Sequence, residues 1–108
     1  MVIQIKALSV NEAWQGRRFK TKKYKAFEKE FILKLPKLKK DFQGCLKLEI
    51  VVGYSNALSD LDNALKPILD VLQSKYGFND RNIYEINAKK KIVKIGDEFI
   101  DFNIVQLE

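Results

Sequence analysis

Asp60, Asp62 and Asp80 are three carboxylates gathered into one region of an otherwise cationic chain, with Lys66 among them. They fall in the run Ser59-Asp60-Leu61-Asp62-Asn63-Ala64-Leu65-Lys66-Pro67-Ile68-Leu69-Asp70 and in the later Gly77-Phe78-Asn79-Asp80. Hard cations such as Mg2+ prefer carboxylate oxygens and keep several waters, and two ions about 3.5 to 4 Å apart can stabilise the attacking and departing oxygens of phosphodiester hydrolysis. A lysine beside them could orient a phosphate or neutralise charge developing in the transition state. Each residue also has an ordinary explanation. An acid near a helix start caps it and suits its dipole. Lys66, four residues after Asp62, could form an ion pair along the helix contributing about 0.3 to 0.5 kcal/mol, and both readings of it stand. Capping needs one carboxylate, however, and this set supplies three.

The elements that must position them follow from periodicity. Ile3, Ile5 and Ala7 alternate within Val2 to Leu8, as in a first strand, and Ser9 to Thr21 has no clear period and reads as a basic loop. Tyr24, Phe27, Phe31, Ile32 and Leu35 have helical spacing, with Thr21 as N-cap and Pro36 as terminator. Leu46, Leu48, Ile50 and Val52 make a second strand that runs toward Tyr54 and delivers the chain to the acidic motif. Leu61, Leu65, Ile68, Leu69 and Leu72 form the stripe of a second helix ending near Tyr76, with Gly77 as its left-handed C-terminal residue. On that helix Asp62, Lys66 and Asp70 project from one polar face. Pro67, lacking an N–H, belongs near the first turn or imposes a kink. Tyr84, Ile86, Ala88, Lys90 and Ile92 share one side of a third strand, and a Gly96-Asp97 turn leads to a fourth from Phe99 to Leu107 as a C-terminal hairpin. The order βαβαββ predicts an α/β (α+β) fold: two helices on a small mixed β-sheet, in a single domain over residues 1–108.

Composition limits the alternatives. The chain has 108 residues, 46% of them apolar, which suits one core. There are 20 Lys and Arg against 14 Asp and Glu, a formal net charge of +6, and every cation except Arg17, Arg18 and Arg81 is lysine. Lysine favours general phosphate attraction over bidentate base reading. The absence of histidine and the single Cys45 argue against zinc sites, histidine catalysis and internal disulfides, and fit a reducing cytoplasm. The Met1 to Lys6 segment does not look like a signal peptide, and no segment reaches membrane-spanning length, so no membrane partner is expected. Basic clusters occur at Arg17, Arg18, Lys20, Lys22, Lys23 and Lys25, at Lys34, Lys37, Lys39 and Lys40, and at Lys89, Lys90, Lys91 and Lys94. Taken singly these are solvated faces as often as not. Beside a metal-type acidic site they point to a nucleic-acid backbone, with Arg17, Arg18, Lys20, Lys22, Lys23, Lys89, Lys90 and Lys91 as the DNA-contacting set. Trp14 could stack on an unpaired base, whereas Phe78 suits the core.

Asp60-Leu61-Asp62-Asn63, Lys66, Leu69-Asp70, Gly77-Phe78-Asn79-Asp80, Ile83 and the lysine-rich strand after it resemble the RusA family of Holliday-junction resolvases. The resemblance extends upstream through Ser9-Val10-Asn11 and Arg18 to Tyr24, although only the central segment is specific. It implies that Asp60, Asp62 and Asp80 are catalytic, Mg2+-binding acids (Mn2+ being an alternative ion), that Lys66 is a catalytic lysine, and that Lys90 matches a further family lysine. It also implies a homodimer that makes paired nicks in four-way DNA during recombination, repair or phage DNA processing, with no small-molecule cofactor. Where the family often has two adjacent acids this chain has Asn79-Asp80, leaving one fewer candidate ligand. The rival readings are a non-catalytic basic nucleic-acid-binding protein and a regulatory or assembly partner.

Chain geometry bears on the dimer separately. A helix from Asp62 to Tyr76 is about 20 Å long at 1.5 Å per residue. Four extended residues recover at most about 13 to 14 Å, so Asp80 should struggle to share an ion with its own Asp60 and Asp62. A composite site taking Asp80 from a second subunit is the resulting expectation.

Overall fold

Leu46, Leu48, Ile50 and Val52 are each no more than 2% exposed, and burying residues of this size contributes about 1.5 to 3 kcal/mol apiece. They make the centre of the sheet. The computed structural model describes residues 1–16, 19–38 and 41–107. Its elements are β1 (Val2–Ile3), α1 (Val10–Ala13), β2 (Trp14–Gln15), β3 (Phe19–Lys20), α2 (Lys22–Lys34), β4 (Leu46–Tyr54), α3 (Leu61–Tyr76), a 3-10 turn (Asp80–Asn82), β5 (Ile83–Ile92) and β6 (Phe99–Gln106). Over the described residues this is a mixed α/β fold with a mixed sheet, as the patterning predicts, and with three α-helices where two were expected.

Both long helices start and stop where side-chain chemistry places their ends. Thr21 Oγ1 accepts the Tyr24 N–H at 3.1 Å at the head of α2, and Leu35, just before Pro36, caps its end. Gly77 closes α3 at φ 76°, a left-handed conformation that costs glycine little. Pro67 lies well inside α3, buried in the core, where it withholds a hydrogen bond from the Asn63 carbonyl.

The sheet order is β1-β6-β4-β5, with β5 parallel and β6 antiparallel to β4. The expected C-terminal hairpin is therefore not formed. The Gly96-Asp97 turn exists, with the Asp97 N–H donating to the Lys94 carbonyl at 2.9 Å, but the segment carries the chain past β4. Apolar β4 outcompetes direct pairing of β5 with β6 because both of its edges then gain a partner. Two local readings also differ. The first strand is regular only over Val2–Ile3, although Ile5 and Leu8 stay buried. The segment taken as a loop contains α1, capped by Ser9, and the small β2/β3 ribbon pairing Trp14 with Lys20.

One contiguous core joins α2 and α3 to the sheet through Tyr24, Phe27, Phe31, Ile68, Leu72, Ile100 and Phe102, among others. Strand β5 is the exception. It forms an edge of the sheet, and Tyr84, Ile86 and Ile92, in phase as expected, are 70%, 46% and 51% exposed. Among the described residues, no helix is long and apolar enough to cross a membrane.

Candidate active site

Strands β4 and β5 run parallel, and Tyr54 at the end of β4 pairs with Ile92 at the end of β5. The acidic motif thus opens beyond the carboxyl ends of two parallel strands, where open α/β sheets characteristically place ligands. Asp60 occupies the N-cap position of α3, yet its carboxylate makes no capping hydrogen bond. Among the described residues it accepts only a long 3.4 Å contact from the Asn63 side-chain amide. Asp62 lies in the first turn. Both are exposed, and neither has a cationic partner among the described residues of this +6 chain.

The surroundings of the pair were less evident from the sequence. The Tyr54 hydroxyl donates to the Asp60 carbonyl at 3.4 Å. Its pKa is pushed from 10.0 up to about 12, first by burial and then by the negative charge of Asp60 and Asp62. A cleft of about 330 Å³ reaches Asp60 and is lined in part by Lys6, Ser9, Asn11, Tyr54 and Asn63. Lys90 leans from β5 across the Tyr54 ring, 5.8 Å from its centroid, and donates to the carbonyls of Ala57 and Ser59 at 2.7 and 2.5 Å.

Lys66 sits further along α3, between two other acids. Its ammonium is 2.8 Å from Asp70 Oδ1 and 3.5 Å from Asp80 Oδ2 of the same chain. These partners, Asp70 foremost, raise its pKa above the usual lysine value and keep it charged. Asp70 in turn accepts the Tyr24 hydroxyl at 3.0 Å, and the exposed edge of Trp14 packs T-shaped on the Tyr24 ring at 5.5 Å. Asp80 is drawn back onto the helix because Phe78 is buried and because its N–H donates to Gln73 Oε1 at 2.9 Å. The ion pair anticipated between Lys66 and Asp62 is replaced by one with Asp70. Tyr54 and Gln73 are the supporting residues that spacing did not single out, whereas Asp70 lies in the expected polar row with Lys66.

Two exposed carboxylates with room for water form a hard-oxygen donor set, and Mg2+ is commonly held by one or two carboxylates together with waters and substrate phosphate. Asp60 and Asp62, whose charges both act on the Tyr54 hydroxyl, are the residues that could hold such an ion. Asp80 stands with Lys66 instead, and among the described residues no three acidic or other metal-binding side chains of one chain are close enough to share one.

Of the expected DNA contacts, Arg17 and Arg18 lie outside the described residues. Lys20 pairs with Glu28 at 2.8 Å and Lys23 with Glu12 at 2.9 Å. Lys22, Lys89, Lys90 and Lys91 are all exposed, and Lys90 is in addition hydrogen-bonded to the motif loop.

A mixed sheet with an acid pair at its carboxyl end and a charge-clamped lysine nearby suits the class of nucleases that hydrolyse phosphodiesters. The family model described as endodeoxyribonuclease RusA matches residues 7–98 of the 108. The chain therefore belongs to the RusA endodeoxyribonuclease family, whose activity is Holliday-junction resolution on branched DNA. A search of curated proteins returned no match.

Proposed function

We propose that this protein is a Mg2+-dependent, structure-selective endonuclease that resolves four-way DNA junctions by paired nicks, in recombination, repair or phage DNA processing in the cytoplasm. The observation that carries the reading is the pair Asp60 and Asp62, left without cation partners among the described residues of a lysine-rich chain. Mg2+ held there would supply a water nucleophile and offset charge on the departing oxygen, and Mn2+ could substitute. Lys66, kept protonated by Asp70 and Asp80, offers a positive charge to the phosphate as negative charge builds. Exposed Lys22, Lys89 and Lys91 suit phosphate contacts, which add affinity without sequence information, so selection rests on junction shape.

A homodimer fits this reading through β5. Antiparallel pairing of two copies of this edge about Ala88 would set Glu85 opposite Lys91 and Tyr84 opposite Ile92, with Ile86 beside the aliphatic stem of Lys90. Asp80 lies just before the start of β5, whereas Asp60 and Asp62 lie beyond the end of β4, which pairs with the end of β5. A two-fold arrangement of this kind would bring opposite ends together and complete the site with the partner subunit's Asp80. The decisive experiment incubates the protein with a labelled four-way junction, with Mg2+ and with chelator. Symmetric, metal-dependent nicks support the proposal; binding without products would leave a non-catalytic DNA-binding protein.

A further inference from the structure

We propose that Lys90 is a positioning residue for the metal-binding pair, tying strand β5 to the loop that presents Asp60. The inference rests on the metal-site reading above and deepens it. The Lys90 ammonium has three N–H donors, and two of them point at the carbonyls of Ala57 and Ser59. The Ser59 carbonyl belongs to the peptide bond that leads into Asp60, so its orientation sets where the Asp60 backbone enters α3. Besides Lys90, the loop is held at its start by a hydrogen bond between Ser55 and Glu98 and at its end by the Tyr54 hydroxyl, leaving Ala57 to Ser59 to the lysine. Leu58 is 91% exposed, and the nearby Asn56 side chain only closes a local turn by accepting the Leu58 N–H at 2.6 Å.

Below the ammonium lies the Tyr54 ring, whose hydroxyl meets the Asp60 carbonyl. The Val93 N–H donates to the Tyr54 carbonyl at 2.7 Å and fastens the end of β5 to the same place. Lys90 thus spans from the edge strand to the loop that leads into Asp60, and although its side chain is exposed, two of its three donors are engaged by backbone oxygens. Groups that orient metal ligands from behind typically change metal affinity by about 10- to 100-fold when removed.

The test is a Mn2+ titration of DNA-free protein, read by the electron paramagnetic resonance of the free ion, for wild type, Lys90→Met and Lys90→Arg. Lys90→Met should weaken Mn2+ binding by at least about 10-fold, and Lys90→Arg, which can still donate to both carbonyls, should recover most of it. Amide exchange should accelerate over residues 55–60 and stay unchanged in α3. Junction affinity in chelator, and its salt dependence, should match wild type. Equal Mn2+ binding by wild type and Lys90→Met overturns the tether alone, whereas a wild type that binds no Mn2+ overturns the metal-site reading and the tether with it. A Lys90→Met protein with intact Mn2+ binding and a salt slope smaller by about 1 would make Lys90 a phosphate contact instead. Faster exchange throughout α3 would make the effect one of global stability and likewise overturn the proposal.

Discussion

Replacing Lys66 with methionine separates a structural role from a catalytic one, because the two predict effects of different size. The lysine pairs with Asp70 at 2.8 Å and Asp80 at 3.5 Å, and the three side chains are 55%, 24% and 40% exposed. Pairs this open to solvent contribute about 0.3 to 0.5 kcal/mol each, so losing both should cost less than about 1 kcal/mol of folding stability. For a domain near this size that is a fall in Tm of no more than about 4 to 8 °C. Methionine keeps the length of the stem, so packing against α3 changes little. Removing a positive donor that acts on transition-state charge costs about 2.7 to 4 kcal/mol, or 10²- to 10³-fold in rate. Single-turnover cleavage of a labelled junction at saturating Mg2+, together with urea unfolding, measures both. Lys66→Met should unfold nearly as wild type does and cleave at least about 100-fold more slowly. Cleavage reduced only a few-fold, or a stability loss above about 2 kcal/mol, would show that the clamp braces α3 and does not serve the phosphate.

Asp62→Asn should abolish cleavage while retaining junction binding, since it removes a ligand charge and keeps the shape; equal cleavage by mutant and wild type would end the nuclease assignment. Mixing inactive Asp62→Asn and Asp80→Asn proteins tests the composite site: mixed dimers regain one intact site and nick one strand if Asp80 acts across the dimer, and stay inactive if it acts within its own chain. The pKa values of Tyr54, Tyr24, Tyr76 and Lys66 are all raised in the folded protein, so their stabilisation is fully present below pH 10 and is lost as pH climbs, for Tyr54 between 10.0 and about 12. Urea unfolding across that range should show a falling midpoint, and NMR titration of Tyr54 should show its pKa falling toward 10.0, though held above it by burial, when Asp60 and Asp62 are changed to Asn or saturated with Mg2+. Gly53→Ala puts a methyl carbon 2.4 Å from two atoms of the Phe99 ring and should cost about 1 to 3 kcal/mol, seen as a lower urea midpoint at unchanged slope.

The helices and the central strand were legible because their signals are local. Thr21 and Gly77 mark ends through their own backbone and side-chain chemistry, and the leucine stripe of α3 needs no knowledge of its partner. Strand order was not legible, because β5 and β6 each carry a strand pattern that fits either the other or β4, and only the competition for β4's two edges decides. The phase of β5 was legible and its edge position was not: Tyr84, Ile86 and Ile92 share a side, and only the sheet order leaves that side open. In the site, the acid pair was evident from residue type. Tyr54 and Gln73 were not, since their roles depend on where a strand end and a returning loop happen to meet the helix.

That returning loop also alters the argument from chain length. Helix α3 separates Asp62 from Tyr76, and length alone places Asp80 far from Asp60 and Asp62 of its own chain. The structure divides the question in two, because Lys66 lies one turn further along α3 than Asp62 and its long side chain meets the returning Asp80. Asp80 therefore need not be idle within its own protomer to serve another: its clamp with Lys66 fixes the carboxylate's position just before β5, the strand whose edge is open to a second copy. The same strand carries Lys90 at its other end, bonded to the loop before Asp60. Pairing at β5 would then act on both ends of the site at once and make the geometry around Asp60 depend on the presence of two protomers, which would suit the paired nicks proposed above.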